Sequence, residues 1–223
     1  MYQKMLSNTL NQRNYASTRT SISCADEEDV KPVIGTCQVF LDEKDLEHWY
    51  FHSKIGDTQF YTPLIASLEV KGEGDCVHLH LATHGGDLDT TITIINSIER
   101  AKKRGVLVIG HAEGHCISAG TMILFSCSQI DIDYQFTYFL FHDAFIGLEG
   151  KLHELQWKIN FYRKTTAHIY HSLYTKAFDH DEIEEILEVG DKYHYTSDEI
   201  IQRIKARDES FLYTGECHDG VNS

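Results

Sequence analysis

Short apolar runs and helical periodicities alternate along residues 48–206. Runs of four to eight apolar or alternating residues predict strands, and apolar residues spaced at about 3.6 predict helices. The predicted strands are residues 49–51, 76–82, 106–110, 129–132 and 136–141. The predicted helices are residues 58–70, 88–103, 121–125, 151–177, 181–189 and 197–206. Strands and helices in this order predict an α/β fold with βαβ units and a parallel sheet.

The helix predicted over residues 151–177 is unusually long, about 40 Å at 1.5 Å per residue. It carries Trp157, Phe161, Ile169 and Leu173 along its length. A long aromatic-rich helix that projects from a domain needs a partner for its apolar face. The pattern therefore predicts oligomerisation.

The two ends of the chain differ in composition from its middle. Residues 1–25 are rich in Ser, Thr and Asn and contain no acidic residue, so they bury little apolar surface. We predict an N-terminal extension over residues 1–32, a folded domain over 33–208 and a loose tail over 209–223. A removable pro-segment or an organelle transit peptide is the alternative for residues 1–25.

Composition excludes several classes of function. The formal net charge of −14 argues against nucleic acid, whose phosphates need a basic surface. No apolar run is long enough for a membrane span, and no secretory signal or phosphate-binding ATP loop occurs. The six cysteines lack C-x-x-C spacing, which favours free thiols and a cytoplasmic location. Fourteen histidines form no metal motif such as H-E-x-x-H, so we expect neither a metal nor a cofactor.

Candidate chemistry collects around Ser118, in the small-residue stretch 114–120 between an apolar strand and an apolar helix. Backbone N–H groups at a helix N-terminus favour an oxyanion, which an attacked acyl group supplies. A helix-capping serine is the simpler interpretation. Gly85 and Gly86 follow another strand and permit close approach of a second chain. His142 leaves a buried strand at its carboxyl end, where ligands bind in parallel sheets.

Four stretches together resemble the Clp protease proteolytic subunit, a serine peptidase. They are Thr83-His84-Gly85-Gly86, residues 114–120, Phe141-His142-Asp143 and Asp191-Lys192-Tyr193. The resemblance covers about residues 48–206 and implies a ClpP/crotonase-type fold of stacked βαβ units with a protruding long helix. It also implies a Ser-His-Asp peptidase that encloses its active sites in rings of seven subunits, one ring or two stacked. Its substrates would be unfolded proteins or peptides, fed by an AAA+ unfoldase.

The resemblance assigns a role to each matched position. Ser118 would be the nucleophile, His142 the base and Asp191 the residue that orients the base. The remaining site residues are the oxyanion donors Gly86 and Ala119, through their backbone N–H groups, and the substrate-binding residues Gly85, Phe145, Ile146 and Gly147. Ala119 departs from the family, which usually has methionine after the serine.

Three alternatives stay open from the sequence. A non-catalytic ring subunit would keep the fold without the chemistry, and a crotonase-fold acyl-CoA hydratase or isomerase would use the same kind of oxyanion turn. Cys116, two residues before Ser118, is another candidate nucleophile. If Asp191 is not the third catalytic residue, Asp143 and Asp181 are the next candidates.

Overall fold

The computed structural model of the chain describes residues 37–42, 46–132, 135–145, 147, 149–189 and 193–215. These residues belong to the unit that runs from Val33 to Ser223. The domain boundaries that we place after residues 32 and 208 stay predictions. Of the site residues named above, Ile146 and Asp191 lie outside the described residues.

Strands and helices alternate through most of the described chain. The strands are β1 Gln38–Leu41, β2 Glu47–Phe51, β3 Cys76–Thr83, β4 Leu107–Ile117, β5 Gln129–Asp131, β6 Tyr138–Phe141 and β7 Tyr193–Thr196. The helices are α1 Thr62–Val70, α2 Leu88–Lys103, α3 Ala119–Ser126, α4 Leu152–Tyr174, α5 His180–Val189 and α6 Ser197–Arg207. Short 3₁₀ helices cover Thr58–Tyr61 and Glu209–Phe211. The protein therefore has the α/β fold that the sequence predicts.

Within the described ranges the strands form one mixed sheet, in the order β1-β2-β3-β4-β6-β7, and β5 also pairs with β4. The inner strands β2, β3, β4, β5 and β6 are parallel to one another, as expected for βαβ units. The outer strands β1 and β7 run antiparallel to β2 and β6. The parallel sheet that the sequence predicts is thus confirmed for the inner strands, and the two edge pairs are antiparallel.

Strand β4 is much longer than the predicted strand over residues 106–110. It continues through the glycine-rich stretch to Ile117 because both of its halves have partners. Residues 109–111 pair with β5, and residues 115–117 pair with β6. Gly114, with a φ of +78°, lies between the two paired segments. The turn after β4 is therefore confined to Ser118.

Buried side chains from the helices cover one face of the sheet. Val77, Leu79 and Leu81 of β3 are fully buried, as are Leu64 of α1 and Ile98 of α2. Every residue of α3 is buried, and α3 contacts β3, β4, α2 and α4. Helix α3 and the residue before it are consequently fixed on several sides.

Helix α4 divides into two halves with different surroundings. Its second half buries Thr166, Tyr170, Leu173 and Tyr174, a spacing that lies on one face of a helix. Its first half exposes large apolar side chains, namely Leu152, Trp157, Ile159 and Phe161. The helix is shorter than predicted, and its large exposed apolar side chains lie in its first half.

The described part of the predicted C-terminal tail packs against the domain. Phe211 is buried, and the Tyr213 N–H donates to the Ile130 carbonyl at 2.8 Å. Within the described residues, no helix has the length and apolar character that crossing a membrane requires.

Candidate active site

Ser118 occupies a sharp turn between β4 and α3. Its backbone angles are φ 57° and ψ −123°, and among the described non-glycine residues it alone has a positive φ. Such a conformation costs about 1–3 kcal/mol, so surrounding contacts must impose it. The Ser118 N–H donates to the Leu140 carbonyl of β6 at 2.9 Å, and Thr121 donates to the Ser118 carbonyl through its N–H and hydroxyl. The turn is therefore held from both sides.

The hydroxyl of Ser118 is not used to cap helix α3. Ser118 stands at the N-cap position, yet its side chain makes no capping hydrogen bond. A serine whose only role is capping would accept a bond from the backbone two or three residues on. The structure therefore does not support helix capping as the role of Ser118, and capping does not occupy the hydroxyl.

Gly85 and Gly86 are required at their positions by geometry. A Cβ at Gly85 would lie 2.7 Å from the Ser118 Cβ and 2.9 Å from the Ala119 nitrogen. A Cβ at Gly86 would lie 2.0 Å from the Ile55 carbonyl oxygen. Both residues also have positive φ, at +83° and +155°. The glycine pair thus brings the loop after β3 directly against the Ser118 turn.

The same packing sets the directions of two backbone N–H groups. Gly85 accepts from the Ile55 N–H at 2.8 Å, and Asp87 donates to the Ile55 carbonyl at 2.9 Å. The intervening Gly86 N–H therefore points away from Ile55, as in any parallel pairing. Ala119 is the first residue of α3, where a backbone N–H has no intrahelical acceptor. Gly86 and Ala119 both line the cleft that contains Ser118.

His142 follows strand β6 and is fixed through its backbone and its ring. Its carbonyl accepts from the Tyr170 hydroxyl at 2.8 Å, and its Nδ1 lies 2.6 Å from the Asp143 carbonyl. Because a carbonyl only accepts, Nδ1 must donate the proton in this bond. In the neutral ring Nε2 then carries the free lone pair, as a general base requires.

A cleft of ≈ 690 Å³ unites most of the predicted site. Its walls include Ser118, Ala119, Gly86, His142, Phe145 and Gly147, together with the segment 54–57. Gly85 lies behind Ser118, and the Phe145 side chain is almost fully exposed. Among the described contacts the Ser118 hydroxyl makes no hydrogen bond to His142. Catalytic pairs of this kind often close only around a substrate.

Cys116 does not have the surroundings of a nucleophile. Its side chain is fully buried, and burial raises the pKa of the thiol. A reactive thiol needs access to substrate and a lowered pKa. The structure therefore disfavours the alternative in which Cys116 attacks the substrate.

Two tyrosines of α4 support the site, although sequence reasoning did not find them. Tyr170 anchors the His142 backbone, and the Tyr174 hydroxyl lies 2.7 Å from the Thr121 hydroxyl, which in turn bonds to the Ser118 carbonyl. Burial raises the pKa of Tyr170, so its hydroxyl keeps its proton. Their four-residue spacing on one helix face was the only signal in the sequence.

A histidine network covers the sheet face opposite the helices. His78 bonds to His111 at 2.8 Å, and His80 bonds to His48 at 2.9 Å and to Glu113 at 2.6 Å. Burial, with neighbouring histidines, lowers the pKa of His78 to about 4. The shared face of His78 and His80 is thus bonded to neighbouring side chains.

The family model of the Clp proteases matches residues 52–201. This match begins directly after β2, ends within α6 and includes every residue that lines the cleft. The chain belongs to the Clp protease family. No curated protein matches the sequence closely enough to be named as a relative. Within the Clp protease family a serine peptidase is the expected activity, and membership weighs against the acyl-CoA alternative.

Proposed function

We propose that the protein is a serine endopeptidase in which Ser118 is the nucleophile, His142 the general base and Asp191 the group that orients the imidazole. The observation that carries the proposal is the strained turn at Ser118. The Ser118 hydroxyl makes no helix-capping hydrogen bond, and Ser118 lines the same cleft as His142. Asp191 lies two residues before Tyr193, which pairs with Phe141, the neighbour of His142. That sequence position supports its assignment, in which the Asp191 carboxylate would accept the His142 Nδ1 proton in place of the Asp143 carbonyl.

The site residues divide the reaction between them. The Ser118 Oγ attacks the peptide carbonyl carbon while His142 Nε2 takes the hydroxyl proton. The carbonyl oxygen becomes an oxyanion that accepts from the Gly86 and Ala119 N–H groups, each worth about 3 kcal/mol in the transition state. His142 returns the proton to the leaving amine, which leaves an acyl group on Ser118. Water, deprotonated by His142, then releases the acid product.

The peptide would bind along the segment after His142. Gly147 and the exposed Phe145 line the cleft beside Ser118, and Gly85 packs behind Ser118. An extended segment with free backbone groups can pair with a peptide through main-chain hydrogen bonds, which suits unfolded chains of varied sequence. We include Ile146 in this segment from its position in the sequence.

The assembly is also part of the proposal. The exposed apolar side chains on the first half of α4 support subunit association, and rings of seven with a docked AAA+ unfoldase follow from the family. The thiols of Cys37, Cys116 and Cys127 form no disulfide bond among the described residues, which supports a cytoplasmic setting.

The test is covalent labelling with a fluorophosphonate, followed by intact-mass analysis and peptide mapping. We expect one adduct at Ser118 in the wild type and in Ser172→Ala, which changes an exposed serine of α4. Ser118→Ala should show no adduct and lose peptidase activity by several orders of magnitude, and His142→Ala should block labelling. Asp191→Asn should slow the labelling of Ser118. A folded, assembled wild type that takes no label would instead be a non-catalytic ring subunit.

A further inference from the structure

Three potential metal ligands meet between α4 and α5, in a place that the peptidase mechanism does not use. They are His171 near the end of α4, and His180 and Glu184 on α5. One donor atom from each lies within 4.8 Å of the donor atoms of the other two. These three side chains are called the interhelix cluster below.

The two helices present these side chains to each other. His180 and Glu184 are four residues apart on α5 and so share one face. His171 reaches them from α4, with its Nε2 2.6 Å from the Glu184 Oε1. The rings of His171 and His180 are stacked with centroids 4.6 Å apart. The two helices therefore bring one donor atom of each residue close to those of the other two.

The connection between the helices fixes this arrangement. The Phe178 ring is fully buried, and its N–H donates to the Tyr174 carbonyl at 2.9 Å. Asp179 and Glu182 exchange side-chain to backbone bonds of 2.9 and 2.8 Å, which start α5 at a defined residue. These bonds fix the connection between α4 and α5, and so they position His171 relative to His180 and Glu184 without a bound ion.

The donor set has the chemistry of a transition-metal site. Two imidazoles and one carboxylate are a common ligand set for Zn²⁺, whereas Mg²⁺ and Ca²⁺ prefer oxygen alone. Bonds of about 2.0–2.2 Å place tetrahedral ligands about 3.3 Å apart. Ligation would require side-chain rotations to that spacing, for which there is room because His180 is exposed and the Glu184 side chain is 45% exposed.

We propose that the interhelix cluster binds one Zn²⁺-like divalent ion, which links α4 to α5 and leaves a fourth position for water. The strongly negative net charge of the chain, −14, favours cation binding in general, while the paired imidazoles select the class of metal. The ion would stabilise α5, whose end lies two residues before Asp191. The proposal does not rest on the peptidase activity.

The test uses Zn²⁺ alone, added to metal-free full-length protein. Isothermal titration should give one site of highest affinity in the wild type, and Zn²⁺ should raise the melting temperature. His180→Ala and Glu184→Gln should each weaken that site at least about tenfold. His168→Ala removes an exposed histidine of α4 outside the cluster and should bind as the wild type does.

A second measurement locates the ion. Zn²⁺ should slow hydrogen exchange of the α5 amides in the wild type and in His168→Ala, but not in His180→Ala. Equal affinity in His180→Ala and the wild type would overturn the proposal, because zinc would then bind other histidines. Failure of the folded wild type to bind Zn²⁺ would overturn it as well, leaving the cluster a hydrogen-bonded pair with a stacked ring.

Discussion

At the scale of single residues, the site depends on how firmly each catalytic group is held. The strain at Ser118 persists because Leu140, Thr121 and Gly85 all contact the turn. His142 follows the end of strand β6, and its ring bonds to the adjacent Asp143 carbonyl. Its backbone is tied to Tyr170, which is only 3% exposed. Tyr170 is therefore the residue whose loss should most directly disturb the base.

We expect Tyr170→Phe to lower kcat/KM for peptides about two- to tenfold, because one hydrogen bond of about 0.5–1.5 kcal/mol to the His142 carbonyl is lost. The ring stays in place, so the fold should persist. Tyr162→Phe is the matched control, since Tyr162 lines the same cleft and its hydroxyl makes no hydrogen bond among the described contacts. Steady-state kinetics with a short peptide decide the matter. Equal rates for Tyr170→Phe and the wild type would contradict the positioning role.

The sequence predicts part of this site because local patterns report local structure. Gly85, Gly86 and Ser118 lie at strand-to-helix turns, which apolar runs and small residues mark. Tyr170 lies 28 residues after its hydrogen-bond partner, so no local pattern reveals the contact. His180 and Glu184 have readable helical spacing, but their meeting with His171 depends on the packing of two helices.

At the scale of elements, the first half of α4 exposes a large apolar surface. Trp157 and Phe161 are 67% and 53% exposed, and their rings are stacked 5.6 Å apart. Leu152 and Ile159 expose apolar surface on another side of the same half-helix. An aromatic side chain buries about 150–250 Å² when covered, at roughly 25 cal/mol per Å². Association through this half-helix therefore has a large driving force.

We expect Trp157→Lys to shift the protein toward smaller assemblies, because a charge replaces the centre of the exposed aromatic surface. Ser172→Lys adds the same charge to the half of α4 that packs on the domain and should leave the assembly unchanged. Sedimentation velocity at several concentrations measures both. If Trp157→Lys sediments like the wild type, this half of α4 does not hold the subunits together.

Element boundaries were less predictable than element types. The apolar run at residues 106–110 predicts the start of β4, but its extension to Ile117 depends on pairing with β6, which lies about twenty residues later. Similarly, the antiparallel edge strands follow from sheet position rather than from local composition. Pairing between strands that are distant in sequence therefore sets the strand ends and directions, which local periodicity does not show.

At the scale of the whole molecule, the sheet register creates the histidine network. It sets His48 beside His78 and His80 beside His111, on three strands that are distant in sequence. The alternation in β3 predicts that His78 and His80 share a face, but their partners become neighbours only in the folded sheet. Stability should therefore carry a pH dependence that composition alone does not reveal.

The sign of this dependence follows from the lowered pKa of His78, about 4 in the folded protein against an ordinary 6.5. Between these values the unfolded chain binds a proton that the folded chain refuses, because burial and the neighbouring His111, His48 and His80 oppose the charge. The contribution to stability is thus complete above pH 6.5 and declines as the pH falls toward 4. The pKa of His80 is also lowered, mainly by burial, which adds in the same direction.

We expect the urea concentration at the unfolding midpoint to decrease as the pH is lowered from 7.5 to 5. Most carboxylates titrate below this range. His78→Gln removes one titrating group and should flatten the decline, although it lowers stability at pH 7.5 through the lost bond to His111. His153→Gln, at a side chain that is 78% exposed, should keep the slope of the wild type. The slope of the urea midpoint against pH reports titration, whereas its value at one pH also reports packing. If His78→Gln and the wild type had equal slopes, the pH dependence would come from other groups.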